Sequence, residues 1–244
     1  MDSFREIFGM GPARTPGCGV FKNIREVRPG CLAVFSREGF RETPYWTLQA
    51  REHTDGYPRT VETVSYLVRD AVARQMVADV PVCTFLSGGI DSSIVTALAS
   101  NYLKKKGGKL NTFSFDFVEN DRYFKANSFQ PERDRPYVDR MLKAYDLNHT
   151  YLECDDAGLV DALFDAVRAK DLPGMTDVDG SLLYFCALVK KHNKVALTGE
   201  CADEIFGGYP WFYREDLLNA DGFPWSKDLS ARTVLLGEDF IKRL

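Results

Sequence analysis

Val80-Pro81-Val82-Cys83-Thr84-Phe85-Leu86 is an apolar, partly β-branched run that ends abruptly in Ser87-Gly88-Gly89-Ile90-Asp91-Ser92. An apolar run of this length bounded by turn residues reads as a buried strand. Behind the turn, Ile94, Val95, Leu98, Tyr102 and Leu103 recur at helical spacing. The unit is therefore strand, glycine turn, helix. Adjacent glycines let the backbone pass close to a bulky anion and offer it amide N–H groups. The helix that follows brings the positive end of its dipole to the same point. Ser87 and Ser92 add hydroxyl groups. A carboxylate at Asp91 has no place in a plain phosphate cradle, and makes sense where it shares a Mg²⁺ ion with a polyphosphate. The plainer reading of the same residues is a helix start with Asp91 and Ser92 as caps.

Outward from this unit, strands and helices alternate. Val61, Val64, Val68, Ala71, Val72 and Gln75 mark an amphipathic helix from Tyr57 to about Ala78. Leu110 to Phe117 reads as a second strand, and Pro136 opens a helix carrying Tyr137, Met141 and Tyr145. Residues 150–153 read as a short strand, 156–169 and 181–192 as helices, and 194–198 as a further strand. The polar stretch 118–135 reads as a loop too long for mere connection. Such alternation implies an α/β fold with a doubly wound parallel sheet and flanking helices, whose ligands bind at the carboxyl ends of the strands. Residues 1–56 have another texture, rich in Gly, Pro and Arg, with strand-like pieces at 31–35 and 45–48. They read as a connector packed on a domain spanning 57–244.

Composition sets bounds. The chain has 244 residues, 45% of them apolar, and a formal net charge of -4. That charge argues against binding nucleic acid by bulk electrostatics. Lys104-Lys105-Lys106 is the one basic run, and it closes a helix, where cations suit the dipole. The six cysteines (Cys18, Cys31, Cys83, Cys154, Cys186 and Cys201) form no C-x-x-C pair, and the three histidines lack metal-ligand spacing, so no zinc site is expected. No membrane span or signal peptide is read, and a cytoplasmic location is the expectation.

Strand 194–198 runs into Thr198-Gly199-Glu200-Cys201-Ala202-Asp203-Glu204-Ile205-Phe206-Gly207-Gly208-Tyr209. Three acids within five residues, held between glycines, are hard to explain as packing. A helical turn over 200–206 would put Glu200, Asp203 and Glu204 on one face. Like charges so close call for a cation, most simply a divalent metal. The plainer reading is a solvated acidic helix start.

Together the two motifs resemble one family. The Ser-Gly-Gly-x-Asp-Ser turn is similar to that of the PP-loop ATP pyrophosphatases, which include GMP, NAD and argininosuccinate synthetases. TGECADEIFGGY resembles the acidic loop of glutamine-hydrolysing asparagine synthetases, and residues 19–30 and 45–48 resemble the lead-in to their synthetase domain. The resemblance covers about residues 57–215. It implies an ATP-dependent, amide-forming ligase. The aspartate side-chain carboxylate attacks the α-phosphate of ATP, pyrophosphate leaves, and ammonia (from glutamine in the complete enzyme) displaces AMP to give asparagine. Ser87, Gly88, Gly89 and Ser92 match the pyrophosphate-binding turn. Asp91 and Asp203 match the acids associated with Mg²⁺ and pyrophosphate. Leu86 and Phe115 match strand-end positions that contact adenosine, and Thr198 and Gly199 fall where the chain runs beside the nucleotide. Glu200 matches the acid tied to adenylate formation and the ammonia step. Asp177 and Asp179 fall where the family places a substrate-facing loop, though a loop aspartate also serves as an Asx turn or an N-cap.

The resemblance has departures. The chain begins Met1-Asp2, whereas glutamine-using members begin with a nucleophilic cysteine on a separate glutaminase domain, so this chain alone is not expected to hydrolyse glutamine. It stops at Leu244, before the position of a distal catalytic lysine. The expectation is therefore a piece of a larger synthetase, with its glutaminase domain missing and its C-terminal end truncated. Such a piece is expected to bind Mg–ATP yet turn over poorly or not at all by itself, and the apolar tail Thr233-Val234-Leu235-Leu236 would lose part of its packing partner, which predicts self-association, as in a homodimer, or marginal stability. The segment around Asp179-Gly180 differs from the usual bacterial substrate loop, which leaves open a different carboxylate acceptor, as in β-lactam or peptide-cyclising synthetases. A non-catalytic ATP-binding module also stays open, although intact Asp91, Glu200 and Asp203 argue against it.

Overall fold

The computed structural model describes residues 2–11, 15–126, 130–219, 221–222, 230–234 and 236–242. The chain divides into two compact units, Met1–Thr54 with Pro210–Leu244, and Asp55–Tyr209.

The first unit starts with a short helix, α1 (Asp2–Arg5), that continues into a π-helical turn at Glu6–Met10. It then forms a hairpin of β1 (Cys31–Ser36) and β2 (Gly39–Pro44), paired antiparallel from Cys31↔Pro44 to Ser36↔Gly39. The strand expected at 45–48 is not there. The polar run Gly39–Pro44 pairs with β1 instead, supported by an ion pair between Arg28 and Glu42 at 2.5 Å. Tyr45 and Trp46 turn back, both backbone N–H groups donating to the Gly30 carbonyl.

The second unit carries the sheet. Its elements in chain order are α2 (Tyr57–Gln75), β3 (Val82–Phe85), α3 (Ile90–Lys104), β4 (Leu110–Phe117), α4 (Asn120–Tyr123), α5 (Arg135–Ala144), β5 (Leu147–Cys154), α6 (Asp156–Lys170), α7 (Thr176–Val189), β6 (Val195–Leu197) and α8 (Ala202–Phe206). The strands form one sheet in the order β5-β4-β3-β6, parallel at every pairing. This is the doubly wound α/β arrangement. Short helices α9 (Glu215–Leu218), α10 (Ser230–Thr233) and α11 (Glu238–Ile241) complete the first unit, and Phe240 packs edge-on against Phe8 there. The expected apolar tail falls partly at Leu235, outside the described residues.

Alternation along the strands builds two cores. Leu110 joins Val72, Met76, Val82 and Ala99 on the side of α2 and α3. Phe113 joins Cys83, Phe185 and Val189 on the side of α7. Each fully buried aliphatic or aromatic side chain contributes about 1.5–3 kcal/mol. Thr84 and Thr96, both fully buried, hydrogen-bond at 2.9 Å and fix α3 against β3.

Several boundaries depart from the sequence reading, and three of the departures have visible causes. β5 starts at Leu147 and not at Thr150, because its polar residues find partners inside the sheet: Asn148 Nδ2 donates to Asn111, Asn111 Nδ2 to Asn193, and His149 Nδ1 bonds Thr112 Oγ1. The stretch 118–135 is not all loop, since it contains α4 and the first residue of α5. Helix α7 begins at Thr176, five residues before the expected start.

Candidate active site

β3 delivers the chain to the glycine turn. Gly88 has φ +86°, and a Cβ there would meet Tyr137 Cβ at 2.7 Å and the Asp134 carbonyl at 2.9 Å. The turn thus lies directly on the start of α5, and only glycine fits both the space and the torsion. The Ser87 N–H donates to Ser92 Oγ at 3.2 Å, while Ser92 Oγ donates to the Gly89 carbonyl at 3.1 Å. Ser92 is buried, so its hydroxyl braces the turn from within. The N-cap of α3 is Gly89, with no side-chain cap bond, so the plainer reading of Asp91 and Ser92 as caps does not hold. Asp91 stands in the first helical turn, where the N–H groups lack partners within the helix.

The second strand tip arrives beside the first. β6 pairs with β3 in the register Thr84↔Leu197, so Thr198 and Gly199 leave the sheet next to the turn. A Cβ on Gly199 would lie 2.7 Å from Asp91 Cβ and 2.8 Å from the Ser92 nitrogen. The two motifs therefore meet. Thr198 Oγ1 accepts the Glu200 N–H at 3.4 Å. The acidic segment does not form one helical turn over 200–206: Cys201 is left-handed at φ 69°, and α8 begins at Ala202. Asp203 and Glu204 stand in its first turn, whereas exposed Glu200 precedes it. The Tyr209 hydroxyl donates to Glu204 Oε1 at 3.4 Å, and burial, with the charges of Glu204, Asp203 and Glu200 behind it, holds the Tyr209 phenol above its ordinary value.

Beside the turn, a cavity of about 420 Å³ opens at the carboxyl ends of β3, β4 and β5. Phe85, Leu86, Phe115 and Phe185 give it apolar walls, and Ser87 links it to the turn. Leu86 and Phe115 are thus brought together as expected. Sequence reasoning missed the polar wall formed by Asp116, Asp134, Arg135 and Tyr151. Arg135 lies over the Tyr151 ring at 4.2 Å and pairs with Glu153 at 3.3 Å and Asp116 at 3.9 Å. Burial, and then the charge of Asp116, push the Asp134 carboxyl upward. The available signal was one acid set between aromatics at a strand end, Phe115-Asp116-Phe117.

Asp177 and Asp179 do not lie in a loop before a helix; both belong to α7. Asp179 Oδ2 accepts the Met175 N–H at 2.8 Å and pairs with Lys170 at 2.6 Å, which starts the helix early. The side chain of Asp177 lies outside the described residues. Among the described residues, no group of three or more His, Cys, Asp or Glu side chains is gathered to hold a metal ion by itself. None of the described helices is long and apolar enough to cross a membrane.

The asparagine synthase family model matches residues 63–243. The chain belongs to the asparagine synthase family. It is 50% identical to asparagine synthetase (glutamine-hydrolyzing) 3 of Bacillus subtilis (strain 168) over 240 residues, which cover 98% of this chain and 39% of the relative. It is 32% identical to amidase chyE of Penicillium rubens over 215 residues, 84% of this chain and 31% of that protein. A putative asparagine synthetase (glutamine-hydrolyzing) 2 of Methanocaldococcus jannaschii is 27% identical over 256 residues, 98% of this chain and 47% of that protein. The chain thus spans less than half the length of each of these curated relatives.

Proposed function

We propose that this chain is the ATP-handling part of a ligase that converts aspartate to asparagine. The observation that carries the reading is the contact of Gly199 with Asp91 and Ser92, which makes the phosphate-type turn and the acidic segment two halves of one site. The names of the relatives at 50% and 27% identity support the same chemistry.

In this reading the triphosphate lies along Ser87–Ser92 at the start of α3, where backbone N–H groups and the helix dipole favour the charge that builds on the leaving pyrophosphate. Asp91 and Asp203 are the residues that would hold Mg²⁺ brought in by the nucleotide. One or two carboxylates plus substrate phosphates are the usual donor set for this ion, so Asp91 and Asp203 suit it without a preformed cage. The ion would supply charge neutralisation along the polyphosphate. Leu86 and Phe115 face the nucleoside, and Thr198 and Gly199 flank it. The aspartate side-chain carboxylate attacks the α-phosphorus, the α–β P–O bond breaks, and pyrophosphate leaves. Ammonia then adds to the β-aspartyl carbonyl, AMP departs, and Glu200, exposed beside the site, takes the proton that nitrogen sheds. In the whole enzyme glutamine is the ammonia source. Reduced thiols and use of ATP fit the cytoplasm, and a homodimer is the assembly we expect.

Pyrophosphate release from Mg–ATP, screened against a panel of carboxylates with ammonium present, tests the proposal. The expected result is release that depends on L-aspartate, with AMP formed in equal amount. Release independent of aspartate, or driven only by another acid, would contradict it.

A further inference from the structure

The acidic segment ends in two glycines, and the backbone accounts for only the first. Gly207 closes α8 in the left-handed region at φ 70°, and the Gly208 N–H donates back to the Asp203 carbonyl at 2.9 Å. In this helix-ending arrangement the residue after the left-handed one commonly makes an apolar contact with the side chain five positions earlier. Here those two positions hold a glycine and a carboxylate. Gly208 has no positive φ, so no left-handed torsion calls for a second glycine.

What the second glycine supplies is space. A Cβ on Gly208 would overlap Asp203 Oδ1 and stand 2.9 Å from Asp203 Cγ. The atoms in the way are the end of a side chain, which can turn to another rotamer. A methyl group at this position therefore moves the carboxylate and leaves the fold almost untouched. The neighbouring Glu204 accepts a hydrogen bond from the Tyr209 hydroxyl, whereas among the described residues the Asp203 carboxylate has no hydrogen-bond or ion-pair partner. Packing against Gly208 is what sets its direction.

We infer that Gly208 is a positioning residue: by having no side chain it lets the Asp203 carboxylate lie back against the end of α8, in the orientation that receives Mg²⁺ and the phosphates. The inference rests on the reading of Asp203 proposed above. Mg²⁺ demands near-ideal octahedral geometry, so a carboxylate turned to another rotamer is a poor substitute.

Titration calorimetry with ATP, in excess Mg²⁺ and in EDTA, tests this on the wild type, Gly208→Ala, Asp203→Ala and the double variant. Gly208→Ala should match the wild type in EDTA and bind roughly 10–100-fold more weakly in Mg²⁺, the usual cost of disturbing a group that orients a metal ligand. Its melting temperature should stay within about 4 °C of the wild type. In the Asp203→Ala background the added methyl has no carboxylate to displace, so the double variant should bind like Asp203→Ala alone. Four results would each overturn the inference and leave the reading of Asp203 standing: Gly208→Ala binding Mg–ATP like the wild type, an equal loss in EDTA, a further loss in the Asp203→Ala background, or a larger fall in melting temperature. Asp203→Ala binding Mg–ATP like the wild type, or no ATP binding by the folded wild type, would overturn that reading and this inference with it.

Discussion

Gly88 shows how much one residue carries. Its torsion of +86° excludes a side chain, and the start of α5 occupies the place where a Cβ would stand. Gly88→Ala should therefore destabilise the chain by about 2 kcal/mol or more, one part from the left-handed torsion and the rest from overpacking against backbone atoms. Urea unfolding checks this, and a loss below about 0.5 kcal/mol would show that the turn does not bear on α5. The paired glycines were legible in the sequence because glycine is the usual answer to such a torsion. Cys201 was not legible. It adopts φ 69° in the acidic segment, and no pattern announces a left-handed cysteine. Its torsion is what separates Glu200 from α8, where helical spacing had placed all three acids together.

Among the elements, β4 was read with its observed ends because Phe113, Phe115 and Phe117 alternate with polar residues at the period of a strand. β5 and α7 were misjudged for one shared reason: polar residues near their starts find partners that no local pattern reveals. The Asn148–Asn111–Asn193 chain extends β5, and Asp179, reaching back to the Met175 N–H, starts α7 early. The start of α5 yields a pH prediction. Burial and the charge of Asp116 hold the Asp134 carboxyl above its ordinary value, so the folded state keeps this proton more tightly than the unfolded state does. The stability this group contributes is greatest in acid and falls as pH rises from the ordinary aspartate range through the raised value. Asp134→Asn should melt at a higher temperature than the wild type at pH ~7, with the difference shrinking as the solution is acidified toward pH ~3. A difference that grows in acid would reverse the sign of the argument.

At the scale of the whole chain, a parallel sheet with ligands at its carboxyl ends followed directly from the alternation of strands and helices, because each parallel crossover needs a helix. Strand order did not. β6 is last in the sheet-forming sequence yet lies next to β3, and only that adjacency brings Gly199 against Asp91. The sequence names both halves of the site, and the fold joins them. The cavity wall of Asp116, Asp134 and Arg135 escaped notice because its members are drawn from a strand end, a loop and a helix start, and gather only in three dimensions. The central claim is that Asp91 and Asp203 serve one magnesium-bound triphosphate. The most direct test is a double-mutant cycle on Mg²⁺-dependent ATP affinity with Asp91→Asn, Asp203→Asn and the pair. Each single variant should lose about tenfold or more, and the pair should be little worse than the weaker single, as expected for two groups on one ion. Losses that simply add, or either single variant binding like the wild type, would contradict the account.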